Sequence, residues 1–203
     1  MCPDTVDVMA STDDPEITTR RFKRVEYERL TEMGIFQPGE RLELLDGLLV
    51  VREPQGTPHA TAIRLAVNAL RAIFGAGWVV DAQLPVALDD DSEPEPDVSV
   101  VPGAARDYRR AHPTHPVLIV EVAEISLAAD RTFKAGLYAR AGVTDYWIVN
   151  LIDNIVQVHR EHVASESSPY GWRYASVVHV RPPAAISPLA ASHARIAAAD
   201  LLP

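Results

Sequence analysis

Cys2 is the only cysteine in the chain. One thiol supports neither an intrachain disulfide framework nor a thiolate zinc cluster. No apolar run reaches the roughly 20 residues of a membrane-spanning helix, so no membrane partner is expected. The start, Met1-Cys2-Pro3-Asp4, is acidic and does not read as a signal peptide, which makes a cytoplasmic protein the expectation. A glycine-rich phosphate loop is missing, which argues against P-loop and dinucleotide folds. There is no internal repeat, and no low-complexity segment beyond an alanine-rich end. Positive charge is also scarce: 19 Lys and Arg stand against 28 Asp and Glu, a net −9. That balance argues against a broad electrostatic footprint for nucleic acid. It leaves a nucleic-acid enzyme open, because acids gathered in a metal site and a tail make net charge a poor guide to one cleft. Two local basic groups, Arg20-Arg21-Phe22-Lys23-Arg24 and Arg106 with Arg109-Arg110, read as solvated surface charge.

What is present fits a soluble globular chain. Its 203 residues, 47% hydrophobic and 23% charged, suffice for one domain with a proper core. Residues 1–16 are polar, acidic and aperiodic and read as a disordered tail; residues 17–203 read as a single domain. A short helix is expected over 25–33, ending at Gly34. Asp46-Gly47 between two apolar runs is a strong hairpin signal, because both turn positions tolerate positive φ. Thr57 as N-cap with Pro58 starts a second helix, whose apolar residues Ile63, Val67, Leu70 and Phe74 keep helical spacing. Strands follow at 78–83, 84–88 and from Asp97, then at 117–122. A helix spans about 127–141, and strands at 146–149, 155–158 and 172–180 come near the end. This order predicts an α/β sandwich, a mixed central sheet with a helix on each side.

Three acids and a lysine stand out. Glu121 follows four aliphatics on a strand apolar on both faces, where an unpaired carboxylate is costly. Asp97 opens another apolar strand, and Glu43 lies on the first hairpin strand. Carboxylate oxygens suit hard cations such as Mg²⁺ or Mn²⁺. Lys134 shares one helical stripe with Asp130 and Tyr138 and can add positive charge at a phosphoryl transition state. Simpler readings exist for the others, though Glu121 is the hardest to explain away. Asp130 and Lys134 make an exposed ion pair worth about 0.2–0.5 kcal/mol, Glu43 faces solvent on an alternating strand, and Asp97 is a strand-entry acid. His59 reads as a polar residue of a first helical turn that could approach the site. The other histidines show no ligand spacing and read as surface or partly buried groups, and Tyr146 and Trp147 read as core packing.

Pro-Asp at 96–97, Glu-Val at 121–122, Asp-x-x-x-Lys at 130–134 and Gly-Val-Thr-Asp-Tyr-Trp at 142–147 together resemble the Uma family of restriction-endonuclease-like proteins. That family lies within the PD-(D/E)XK nuclease superfamily. The likeness also takes in Glu43-Leu44-Leu45-Asp46-Gly47 and His59, covering about 41–160. It implies a restriction-endonuclease-like α/β core and hydrolysis of DNA phosphodiesters with Mg²⁺ or Mn²⁺. Asp97 and Glu121 match the metal-binding acids, Glu43 the extra N-terminal acid, and Val122 the donor of a main-chain carbonyl. Ala123 stands where the parent motif places its lysine, which makes Lys134 the replacement. Glu124-Ile125-Ser126 stands where the family more often has Leu-Ser-Pro. The leading expectation is a metal-dependent endonuclease, catalysed by Asp97, Glu121 and Lys134 with His59 and Asp130 as accessory residues. A homodimer is expected with it, since two sites cut both strands of a duplex most simply. The alternatives are a catalytically silent binding or assembly module and a two-carboxylate glycosidase, which leaves Lys134 without a role.

Overall fold

The computed structural model describes residues 19–37, 39–52 and 54–203. The tail expected over residues 1–16 lies outside them. Helix α1 (Arg24–Glu32) precedes a hairpin of β1 (Leu42–Leu45) and β2 (Leu48–Val51). Asp46 and Gly47 take φ of 49° and 78°, and this two-residue turn sets Leu45 opposite Leu48 and Glu43 opposite Val50. The hairpin docks on a loop far along the chain, around residues 89–96, through paired bonds between the Leu44 and Glu93 backbones.

Helix α2 (Thr57–Phe74) starts one residue before the expected position. Gly56 is the extended N-cap, and Thr57 already belongs to the helix. A six-stranded sheet follows, from β3 (Trp78–Asp81), β4 (Val98–Pro102), β5 (Leu118–Ala123), β6 (Asp145–Asn150), β7 (Ile155–Ala164) and β8 (Trp172–Val180), in that spatial order. Only β5 and β6 run parallel, so the sheet is mixed. The crossover between them is helical: α3 (Leu127–Ala129), a π turn (Asp130–Lys134) and α4 (Ala135–Arg140). A small pair, β9 (Ala185–Ile186) and β10 (Ile196–Ala197), packs near the end of the chain. Among the described residues no helix is long and apolar enough to cross a membrane.

The expected strand at 84–88 does not form. Pro85, Pro94 and Pro96 cannot donate to a ladder. The amides of Val86, Ala87 and Leu88 bond singly to Pro94, Pro113 and Ser92 instead.

The period of two in the strands divides the core. Leu118, Val120 and Val122 of β5 face α2 with Val98, Val100, Trp147 and Val149. Ile119 and Ala123 face α4, with Tyr138, Tyr146 and Tyr174. Glu121 has the parity of the second set, so its side chain points into the layer under α4. The antiparallel register Val98↔Val120, carried one pair further, sets Asp97 directly opposite Glu121.

His159 is 5% exposed, packed between Tyr146 and Tyr174 at ring distances of 5.3 and 5.9 Å. The expectation of a surface or partly buried histidine fails because these tyrosines come from other strands. Burial pulls its pKa down from 6.5 to about 4, with His179 and Arg131 adding to the effect. The unfolded chain therefore binds this proton more tightly, and stability is lost as pH falls from 6.5 through 4. The expected loss at pH 4 is about 3 kcal/mol. His159→Phe is expected to remove that part of the slope in urea midpoints measured across pH 4–7; an unchanged slope would reject the assignment.

Candidate functional site

The acids and the lysine converge. Asp97 enters from the start of β4, Glu121 from the end of β5, Glu43 from β1 and Lys134 from the last residue of the π turn. Glu43, Asp97 and Glu121 are each 3% exposed. The Lys134 ammonium lies 3.0 Å from Glu121 Oε1 and 3.4 Å from Glu43 Oε1. It is thus neither in bulk solvent nor in a simple surface pair with Asp130. Asp130 is itself buried, and its carboxylate accepts from Ser126 Oγ at 2.6 Å. Tyr138, one further turn along, donates to Glu121 Oε1 at 2.7 Å. The solvent-facing reading of Glu43 fails because the hairpin folds its face inward, where Glu43 Oε2 accepts the Glu95 amide at 3.1 Å.

Asp97 is held from three sides. The Val122 amide donates to its Oδ2 at 2.9 Å, His59 Nε2 lies 3.2 Å from the same oxygen, and Arg52 lies 3.5 Å from Oδ1. Oδ1 is also approached by Gln55 Nε2, at 3.4 Å. These residues border a cleft of about 390 Å³.

Electrostatics separates the two central acids. Burial lifts the Glu121 carboxyl to about 7; Lys134 opposes this, while Asp97, Asp130 and Glu43 add to it. Asp97 is also disfavoured by burial. The bond and charge of His59, the Val122 amide and Lys134 nevertheless bring it below its ordinary value. Burial disfavours charge on Lys134, but Glu121, Glu43, Asp130 and Asp97 outweigh it and raise its pKa. Lys134 therefore stays cationic at any working pH. His59 is likewise raised, because the bond and charge of Asp97 overcome burial.

Two oxygens, Asp97 Oδ1 and Glu121 Oε2, have only long contacts of 3.4–3.5 Å, and their residues lie opposite each other on adjacent strands. Both are hard oxygens at a cleft, a set that suits Mg²⁺, which binds through one or two carboxylates and keeps several waters. Among the described residues no three acidic, histidine or cysteine side chains already surround one point. The Lys134 ammonium occupies the space between Glu43 and Glu121. The residues present fit an ion held by two acids and water, with Glu43 at its edge.

Residues 24–190 match the Uma2 family, described as "Putative restriction endonuclease". The chain belongs to the Uma2 family. No curated protein matches. A solved structure described as a putative nuclease belonging to DUF820, from Anabaena variabilis ATCC 29413, is similar at a TM-score of 0.62 and 16% identity. The match covers 85% of this chain and 96% of that one, and it bears on the fold alone.

In this Uma2 chain two cleft residues escaped the sequence reading. Arg52 bonds Glu95 at 2.7 Å and flanks Asp97, and Gln55 approaches the same carboxylate. A signal for Arg52 existed. The Asp46-Gly47 turn fixes the hairpin register, the Arg52 amide bonds the Arg41 carbonyl, and Arg52 then shares a face with Glu43.

Proposed function

We propose that this Uma2 chain is a divalent-metal-dependent endonuclease that hydrolyses phosphodiester bonds in DNA. The observation that carries the reading is the convergence of Asp97, Glu121, Glu43 and Lys134, from separate elements, beside two weakly engaged carboxylate oxygens. When bound, Mg²⁺ or Mn²⁺ polarises a phosphoryl oxygen and eases deprotonation of the attacking water. Asp97 and Glu121 would hold such an ion through their weakly engaged oxygens, with the Val122 carbonyl as a third donor. His59 and the Val122 amide fix Asp97 Oδ2, which leaves Oδ1 turned to the cleft. Lys134, always protonated, is no base; it stabilises negative charge growing on phosphorus-bound oxygens. Tyr138 and Asp130 hold Glu121 and the ammonium in place. The protein works as one domain in the cytoplasm, and a homodimer supplies two sites for the two strands of a duplex.

A second reading, a silent nuclease-fold module, draws on Lys134, which already satisfies Glu43 and Glu121 without an ion. Calorimetric titration with Mg²⁺ and Mn²⁺ separates the two, because a silent module need take up neither. The deciding assay offers plasmid and single-stranded DNA with each metal. Cleavage by wild type, lost in EDTA and in folded Asp97→Ala, is the expected result. Equal inertness of both folded proteins on every substrate would remove the catalytic reading.

A further inference from the structure

The two basic groups in the sequence meet different fates in the fold. Arg20, Arg21, Lys23 and Arg24 are neutralised by the chain's own acids, in pairs with Glu26, Asp46, Asp91 and Glu28. The second group, Arg106, Arg109 and Arg110, stands exposed on the loop between β4 and β5. Among the described residues these three have no ion pair and no side-chain hydrogen bond. The one acid of that turn, Asp107, uses its carboxylate to accept the Ala104 amide at 2.8 Å.

Helix α2 leads from the cleft to this loop. Its first turn carries His59 at the cleft, and just past its end the Gly77 carbonyl accepts the Gly103 amide of the arginine loop at 2.8 Å. At 1.5 Å per residue its 18 residues span about 27 Å, roughly eight base pairs of duplex. Its exposed stripe reads Arg64, Asn68, Arg71, and between Thr57 and Gly77 there is no acid in a chain with 28 of them. Asp81 lies within electrostatic reach of both Arg71 and Tyr108 of the loop, with Asp107 also acting on Tyr108. The stripe and the loop are therefore neighbours at the far end of the helix.

We propose that the exposed stripe of α2 and the Arg106–Arg110 turn form one backbone-binding track for duplex DNA, running from the catalytic cleft to the opposite end of the sheet. The proposal rests on the nuclease reading of the cleft, and it explains how an acidic protein holds a polyanion. The contacts are to phosphates, so they add affinity without sequence preference. They require a duplex long enough to span the helix.

The test is fluorescence anisotropy with a labelled 30-base-pair duplex in Ca²⁺ across a series of salt concentrations. Arg64→Gln/Arg109→Gln/Arg110→Gln is compared with Arg29→Gln/Arg173→Gln/Arg195→Gln, which removes the same charge elsewhere. The track variant is expected to lower the slope of log K against log salt by about 2.7, at about 0.9 per phosphate contact. Its affinity near 100 mM salt is expected to fall at least tenfold, with the control unchanged. Lysine at the three track positions is expected to restore the slope. Hydrolysis of a small aryl phosphodiester, which cannot reach the track, is expected to stay at the wild-type rate. Equal slopes for the two variants, or no binding by wild type, would overturn the track. If wild type binds through the track and cuts nothing, the nuclease reading fails and the track stands.

Discussion

Lys134→Met is expected to cut DNA at least about 100-fold more slowly than wild type while still binding it. The ammonium lies at 3.0 and 3.4 Å from two buried acids, beside the oxygens proposed to hold the ion. Removing it takes away the charge that faces the developing negative phosphoryl oxygens. It also leaves Glu43 and Glu121 without their cation, a change that costs about 3–5 kcal/mol when buried carboxylates lose a partner. That penalty is expected to be larger at pH 8 than at pH 5.5, because protonation relieves a stranded carboxylate. Urea denaturation at the two pH values reads the stability part, and plasmid nicking reads the chemistry. Lys134→Arg separates the roles: it keeps the charge and most of the stability, but its planar fork does not reproduce a point charge between two carboxylates. Nicking by Lys134→Met within threefold of wild type would remove the lysine from the mechanism.

Glu121→Gln is expected to remove the fall in stability that Glu121 imposes as pH rises from 4.5 through 7, leaving the opposing rise from His159 uncompensated. In the fold, burial holds this carboxyl near 7 against an ordinary 4.5. The native state therefore binds the proton more tightly than the unfolded chain. The stability this gives is full below pH 4.5 and is lost as pH rises through 7, a difference of about 3 kcal/mol. An amide keeps the acceptor for Lys134 and Tyr138 but carries no charge to desolvate. The same carboxyl links metal uptake to pH. An ion at Glu121 Oε2 takes the place of the proton, so apparent Mg²⁺ affinity is expected to rise about tenfold per pH unit below 7 and to level off above it. Calorimetry in two buffers of different ionisation enthalpy measures the released proton directly. An affinity constant from pH 5.5 to 8 would sever the link between this acid and the ion.

The legible parts of the site were those with a local physical cost. Glu121 announced itself because four aliphatics precede it, and Asp97 because it opens an apolar strand. The hairpin was legible in Asp46-Gly47, since two positive φ values in sequence leave few alternatives. What stayed hidden depended on register and on distant partners. That Asp97 lies opposite Glu121 follows from the β4–β5 pairing, which residue types alone do not set. His159 looked ordinary because Tyr146 and Tyr174, its neighbours in space, are 13 and 15 positions away in the chain. The strand expected at 84–88 does not form because of its prolines, a signal the sequence itself carries beside its apolar residues. The helix expected at 127–141 forms, and its sequence alone suggests a uniform one. Leu137 is buried in the core, whereas Phe133 is 42% exposed.

That uniformity is broken at Asp130–Lys134, where the backbone takes one wide π turn between two α segments. Each residue of an α-helix turns the chain by about 100°. The wide turn sets the phase in which Lys134 and Tyr138 both meet Glu121. A π turn holds one residue more than an α turn. Losing one residue here would leave a plain α-helix with Lys134 and Tyr138 still in phase, whereas losing one from α4 ahead of Tyr138 would swing that side chain by about 100° off its carboxylate.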